Sequence, residues 1–314
     1  MTNSTDPWHN LALEELLFSQ PEDMTLYLWQ NQNTVVIGRH QNAWKECRIQ
    51  ELEEDGGRLA RRTSGGGAVF HDLGNLNFTF VCPREMYDQK RQLGVIIDAV
   101  KALGIDAMFT GRNDIVTASG AKFSGNAFRL SNEAGLHHGT LLVAVDMDKL
   151  SRYLAPSKEK LASKGIDSVR SRVANLSSLA DFTMPDLVAA LTQAFGREYG
   201  EFERVDEASL DTAALLALTE KHASWDWRLG ASPAFDIELF ERFDWGELQL
   251  HITARSGLIE DIAVYSDSMD EAFIGRIAPA LKGVRFQSDA MAQALLPLGG
   301  DAASVADWLT GKGF

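Results

Sequence analysis

Arg61-Arg62-Thr63-Ser64-Gly65-Gly66-Gly67 sets two adjacent guanidinium groups against three bare backbone positions. The chemistry such a run can do is anion binding. Without Cβ atoms, consecutive glycines reach φ > 0 and can turn their N–H groups into one concavity that holds a phosphate or carboxylate. A plain tight hairpin between RLARR and AVFHD would use the same residues, and the spacing alone leaves both readings open. The run is neither a GxGxxG opening a helix after a strand nor a GxxxxGK[ST] loop, which disfavours a dinucleotide fold and a P-loop. On a strand, Arg61 and Arg62 point to opposite faces. One is expected at the mouth of the turn, where forked donors suit phosphate oxygens, and the other as a solvated strand charge.

Further polar and basic groups lie on short strand-like stretches: GRNDIV (111–116), KFSGNAFR (122–129) and HHGTLLV (137–143). Strict alternation would put Lys122, Ser124 and Asn126 on one face, and Phe123 and Phe128 on opposite faces. His137 and His138 have no Cys, Glu or Asp at metal spacing, so zinc is not expected and a core or pocket histidine is the default. There is no Gly-x-Ser-x-Gly elbow, and Cys47 and Cys82 carry no nucleophile or metal signature, so both are expected as free thiols.

The elements that must position these groups come from a chain of 314 residues, 45% hydrophobic and 24% charged, enough apolar material for a packed core. Thirty basic against 44 acidic residues give −14, which excludes sequence-independent binding to nucleic acid or anionic membranes. An anionic ligand would need a local basic pocket. The start, MTNSTDPWHN, has no basic-then-apolar signal pattern, and no apolar run approaches the roughly 20 residues that cross a bilayer. A cytoplasmic protein is expected.

Asp6-Pro7 predicts a helix start, with Trp8, Leu11, Ala12, Glu15 and Leu16 making one mostly apolar face. TLYLWQ (25–30), TVVIGR (34–39), RLARR, AVFHD and LNFTFV (76–81) read as strands, the last with Leu76, Phe78 and Phe80 on one side. A helix is predicted over 88–103 from Leu93, Ile96, Ile97, Val100 and Leu103, ending at Gly104. Strand-like stretches at 105–110, 114–118, 122–129 and 139–145 follow too closely for crossover helices, which favours antiparallel pairing. Residues 147–224 read as helical. After Pro233, GELQLHI and LIEDIAVYSD flank ARSG as a hairpin, with helix–strand–helix patterns to the end. The expected architecture is α/β (α+β): a large, mixed, mainly antiparallel sheet flanked by helices over 1–233, and a small α/β accessory domain over 234–314.

From the residues alone the reading stops at an α/β protein with an anion-binding glycine turn and convergent basic strands; no substrate is named. Taken together, however, DPWHNLALEE, ARRTSGGGAVFHDLGNLNFTF, GRNDIV, KFSGNAFR, HHGTLL, SVRSRVANL (168–176) and SWDWRLGASPAF (224–235) closely resemble the lipoate–protein ligase A family, in order and over nearly the whole chain. The chain begins almost at the DPWHN helix, so the family's usual first strand is absent or lies within MTNST. The stretch IVTASGA between Asp114 and Lys122 is also shorter than the family's turn.

The resemblance implies two half-reactions. Lipoate and ATP give lipoyl-AMP and pyrophosphate, and the lipoyl group then passes to a lysine of an acceptor. The implied acceptors are lipoyl domains of 2-oxoacid dehydrogenase complexes and the glycine-cleavage H protein. Carried over by motif, Lys122 is the essential lysine, contacting carboxylate and α-phosphate. Arg62 and the backbone of Gly67, Ala68, Val69 and Phe70 meet the nucleotide. Ser64, Gly65, Gly66, His71, Arg129 and His138 belong to the lipoate pocket, and Asn113 and Asp114 to the vicinity of Mg²⁺ and phosphate. Mg²⁺ offsets pyrophosphate charge, with no metal held by the protein alone. SVRSRV matches a loop that orders over the adenylate. The expected partners are lipoate, ATP and the acceptor domains, with a monomeric enzyme and an acceptor-docking patch near Arg39, Lys45 and Arg62. An ATP-independent octanoyl or lipoyl transferase of the same fold, working through a cysteine thioester, and a non-catalytic lipoate- or nucleotide-binding protein are the alternatives.

Overall fold

The computed structural model describes residues 1–110, 113–154, 173–268 and 270–314. Gly111 and Arg112 of GRNDIV and the SVRSR part of the expected adenylate loop lie outside the described residues. Helix α1 (Pro7–Ser19) begins where Asp6 accepts from the Trp8 and His9 amides, with Pro7 in the first turn. Its single apolar face is corrected: Asn10, Leu11, Ala12, Leu13, Glu14 and Leu16 are all buried, because the helix is packed on more than one side. Glu15, expected among the apolar residues, instead accepts from Lys221 and His222.

The large sheet has six strands, β1 (Thr25–Trp29), β5 (Asn75–Pro83), β9 (Ala134–Leu142), β8 (Lys122–Leu130), β7 (Asp114–Thr117) and β6 (Ala107–Thr110), in that spatial order. Every neighbouring pair is antiparallel, as the short spacings predict. Leu76, Phe78 and Phe80 of β5 point into a core shared with helices α4 (Gln89–Ala102) and α6 (Met184–Tyr199). The alternate residues Asn75, Asn77 and Thr79 face the other way and are buried too.

A smaller sheet overturns the hairpin reading of the glycine run. Its order is β3 (Arg58–Arg61), β2 (Thr34–Ile37), β4 (Val69–His71), with β2 parallel to β3 and antiparallel to β4. β3 and β4 never pair. The glycine segment therefore crosses the end of β2, and its shape is set by that strand's end. Short helices α2 (Ala43–Glu46), α3 (Ile49–Glu54) and α5 (Met147–Tyr153) supply apolar residues to the core beside this sheet. Helix α7 (Thr212–Ala223) packs on α1.

Beyond Pro233, β10 (Phe235–Phe243), β11 (Gly246–Arg255) and β12 (Leu258–Ser266) form an antiparallel sheet. Ser256 and Gly257 both have positive φ, the geometry of a tight hairpin at the expected ARSG turn. Helices α8 (Glu271–Leu281), α9 (Ser288–Leu295) and α10 (Ala302–Thr310) close this second core. No strand follows β12 among the described residues, which corrects the helix–strand–helix expectation; an isolated bridge from Leu258 to Arg285 stands in its place. Trp44 of α2 packs against Phe235 and Phe286, ring centroids 5.2 and 5.4 Å away, and so joins this core to the one beneath β2. Among the described residues no helix is long and apolar enough to cross a membrane.

Candidate active site

Lys122 owes its position to a slip in the sheet. Ile115 pairs with Ser124 and Val116 with Lys122, so β8 takes two steps against one step of β7. Phe123 is the extra residue, and a bulge of this kind re-aims the side chains beside it. The lysine lies over Gly125, where an added Cβ would meet Nζ at 3.1 Å. Strict alternation is thereby corrected: Lys122 shares a side with Gly125, while Asn126 reaches back to Ser124 at 3.4 Å. Phe123 enters the core of Phe78 and Phe80, against which His137 stacks with Phe128, so the two phenylalanines are not on opposite faces. The Lys122 ammonium is 2.6 Å from an Asp114 carboxylate oxygen.

The glycine segment is gathered around Arg62. This guanidinium is buried and donates to the carbonyls of Gly65, Gly67 and Val36 and to Ser64 Oγ. Burial pushes its pKa down to about 10. With carbonyls drawn to the cation, the amides of Gly65, Gly66 and Gly67 donate to no group among the described residues, leaving them for an anion. Only Gly66 needs positive φ, at 93°. Gly38 matters for another reason: a Cβ there would collide with the Gly66 carbonyl.

Behind the segment runs a directed chain of hydrogen bonds. His138 Nδ1–H donates to Glu14 Oε1 at 2.7 Å, which leaves Nε2 to accept from Ser64 Oγ, also at 2.7 Å. Thr79 Oγ1 donates to the same Glu14 oxygen at 2.8 Å and accepts from Trp29 Nε1 at 3.0 Å. The buried Arg62 side chain is thus connected to the buried Glu14 side chain through Ser64 and His138. Ser64, His138 and Glu14 have the order of a hydrolase triad, yet Ser64 is 2% exposed, receives Arg62 Nε–H and lies outside the cavity wall. It is a support rather than a nucleophile.

A second buried chain anchors the other side. Asn126 donates through its amide N–H and its side chain to the Asn113 carbonyl, at 2.8 and 3.0 Å. His137 Nε2 donates to Asn126 Oδ1 at 2.9 Å, and the Gln92 amide lies 3.1 Å from Nδ1. Burial lowers the His137 pKa to about 3, so this ring stays neutral. The same cause, with Arg62 and His138 nearby, puts His71 at about 3.

Between these supports is a cavity of about 160 Å³. Gly66, Gly67, Ala68 and Val69 line it, as do Arg62, His71, Asn113, Lys122 and His138. The other expected residues stand outside its wall. Ser64 and Gly65 lie behind the segment, Asp114 meets the cavity through Lys122, and the Phe70 ring turns away onto Tyr153, 5.5 Å between centroids. Arg129, expected in the pocket, sits over the Phe18 ring at 4.2 Å. The solvated-charge reading of Arg61 is also corrected. Fully buried, it donates to the carbonyls of Gly38, Arg39, Gln41, Trp227 and Arg228 and to Ser232 Oγ. Arg62 cannot belong to a docking patch, because it is buried. Arg39 is spread over the Trp227 ring at 4.3 Å.

Leu11, Trp29, Asn77 and Thr140 of the wall, and Glu14 behind it, are residues that sequence reasoning passed over. One signal was available for Glu14, a carboxylate set inside the apolar run NLALEELLF.

The chain matches the lipoyl protein ligase A/B catalytic domain over residues 6–196. It belongs to that family. Residues 232–301 match the bacterial lipoate protein ligase C-terminus. Three solved structures are similar to this ligase-family chain. LipL1 of P. falciparum, solved in complex with lipoate, is 28% identical with a TM-score of 0.65, covering 98% of this chain and 97% of its own. The bipartite lipoate protein ligase of Thermoplasma acidophilum, described with its E2 lipoyl domain, is 29% identical with a TM-score of 0.62, covering 71% of this chain and 92% of its own. A lipoate-protein ligase A bound with ATP is 27% identical with a TM-score of 0.62, covering 72% and 95%. The mixed α/β architecture, with a large antiparallel sheet flanked by helices, is the one expected from the sequence, and the C-terminal part adds a three-stranded sheet to the expected hairpin.

Proposed function

We propose that this chain activates lipoate with ATP and passes the lipoyl group to a lysine of an acceptor domain. The observation that carries the reading is the bulge at Phe123, which swings Lys122 over Gly125 into a cavity whose facing wall is the glycine segment. A carboxylate oxygen attacking the α-phosphorus brings two anions together, so fixed donors and positive charge must offset their repulsion. Lys122 supplies the charge, and the glycine amides supply donors opposite it. The new bond is a carboxyl–phosphate anhydride, the bond broken joins the α- and β-phosphates, and pyrophosphate leaves. The acceptor's neutral amine then attacks the acyl carbon, AMP departs, and an amide remains.

Among the described residues no three His, Cys, Asp or Glu side chains gather to cage a metal. Asp114 beside Asn113 is the sparse donor set that suits Mg²⁺ arriving with phosphates. There Mg²⁺ would neutralise charge on the departing pyrophosphate. Asp114 holds Lys122 in the free protein, so taking up a cation would release the ammonium toward the reacting oxygens. Acceptors of the proposed kind are the lipoyl domains of 2-oxoacid dehydrogenase complexes and the glycine-cleavage H protein, served by a monomeric cytoplasmic enzyme. A thioester route has no support. Cys47 and Cys82 are buried outside the cavity, and burial pushes their thiols up to about 12 and 11.

The deciding experiment is lipoate-dependent ATP–pyrophosphate exchange. Exchange by the wild type that collapses in Lys122→Ala supports the reading. No exchange from folded wild type refutes it, and exchange indifferent to Lys122→Ala refutes the role of the lysine.

A further inference from the structure

At the lysine the large sheet changes partner. β9 pairs with β8 from Asn126 to Leu130 and then turns away to Gly74, whose carbonyl accepts from the Val143 and Ala144 amides at 2.9 Å each. By Gly125 the backbone ladder has already given way to a side chain, for the Gly125 amide donates to Thr140 Oγ1 at 3.2 Å. Lys122 has Val116 of β7 on one side. On the other side it meets a strip from much later in the chain. Val173 bridges Lys122 in parallel, and the Ala174 amide donates to the Lys122 carbonyl at 2.9 Å.

Asn175 fastens this strip. Its side-chain amide has the donor and acceptor of a peptide group and spends both on one residue. Nδ2–H donates to the Val145 carbonyl and Oδ1 accepts from the Val145 amide, each at 3.0 Å. The side chain thereby does the work of a strand residue, tying the strip to the chain where it leaves β9. Next to it, Leu176 is fully buried in the core with α4 and α6, and the Ser177 amide donates to the Val143 carbonyl at 3.0 Å. A bulge forgoes part of its own ladder, so the backbone beside Phe123 depends on what flanks it. Without Asn175 the Ala174 amide drifts from the Lys122 carbonyl, and the lysine loses its aim over Gly125.

We infer that Asn175 is a positioning residue for Lys122, acting through the Ala174 amide. The inference rests on the ligase reading of the same site. Asn175 stands outside the cavity wall, so its effect must pass through the lysine. A group displaced by about an ångström from the atoms it serves costs up to about 10²-fold in rate. The loss falls on kcat, with KM for lipoate and ATP little moved, because the lysine charge is needed most in the transition state.

The test measures lipoate-dependent ATP–pyrophosphate exchange in wild type, Asn175→Ala, Lys122→Ala and the double variant. In Asn175→Ala kcat is expected to fall about 10- to 10²-fold. On the Lys122→Ala background the same change should cost less than about twofold, since no ammonium is left to position. Equal losses in both backgrounds overturn the inference, as does an unchanged kcat in folded Asn175→Ala. Amide hydrogen exchange reads the geometry without catalysis. The Ala174 amide should be protected in wild type and lose protection in Asn175→Ala, and equal protection in both overturns the inference. Asn175→Asp, which keeps the shape and gives up the donor to Val145, carries the same readouts should alanine disturb folding. A wild type that exchanges no pyrophosphate defeats the ligase reading itself, and it is told apart because Ala174 protection is then still measurable.

Discussion

On the sheet of β10–β12 the inward residues of β11 are Leu248, Leu250, Ile252 and Ala254, while Asp236 and Glu238 of β10 stand in solvent. On the large sheet, β5 buries Leu76, Phe78 and Phe80 on one face and Asn75, Asn77 and Thr79 on the other, with His138 beside them on β9. The first pattern is what antiparallel sheets do when only packing is asked of them. The second is costly unless each polar group finds a partner. In the large sheet most do, through Glu14, Ser64, Arg62 and Trp29, while Asn75 Oδ1 and Asn77 Nδ2 stay without a partner among the described residues. The contrast separates a surface kept for binding from one kept for cohesion.

The largest effect that would sharpen the contrast is chemical. Lys122→Ala should cut exchange by about 10²–10³-fold, the cost of one preorganised charge-stabilising group, with little change in stability. Next comes Glu14→Ala, which leaves the Arg62 cation buried without its carboxylate and should cost about 3–5 kcal/mol in chemical denaturation. A loss under 1 kcal/mol would break the idea that the polar face is held by that charge. In the other core, Leu250→Ala should destabilise by about 3 kcal/mol through transfer and cavity costs. Trp245 and Trp308, packed against that core, supply the fluorescence signal, and exchange should persist under native conditions. If exchange fell in step with stability, the two regions would not be separable.

The smallest effect depends on pH. Burial alone would raise the Glu15 pKa, but hydrogen bonds from His222 and Lys221 outweigh it and hold it near 2. Its stabilisation is therefore full above the unfolded value of about 4.5 and is lost as pH falls toward 2. Glu15→Gln should flatten the stability curve within that window alone. An unaltered curve would mean the Glu15–His222 contact contributes nothing.

The parts given to Arg62 and Lys122 came from the family resemblance, whereas residue types and short spacings were enough to single out the arginine–glycine run and the antiparallel pattern, because those signals are local. LNFTFV revealed its apolar face for the same reason. Three things depended on distant pairing. That β2 lies between β3 and β4 follows from no residue in the glycine run, and so a crossover looked like a hairpin. Glu14 meets His138 across 124 positions of sequence. Arg61 looked like a surface charge because its acceptors come from 38–41 and 227–232, segments far away along the chain. The bulge at Phe123 escaped notice because a one-residue slip leaves composition and length untouched.

That slip gives the site a parity. Residues 118–121 form a turn between β7 and β8, and adding or removing one there shifts a loop without rotating the lysine. Flattening the bulge at unchanged length would instead set Lys122 three regular steps from Gly125 and send it to the opposite side of the sheet, among the helices, with every catalytic residue type still present. Deleting Phe123 leaves Lys122 two positions before Gly125 and so on the same side, at the cost of a phenyl ring from the core.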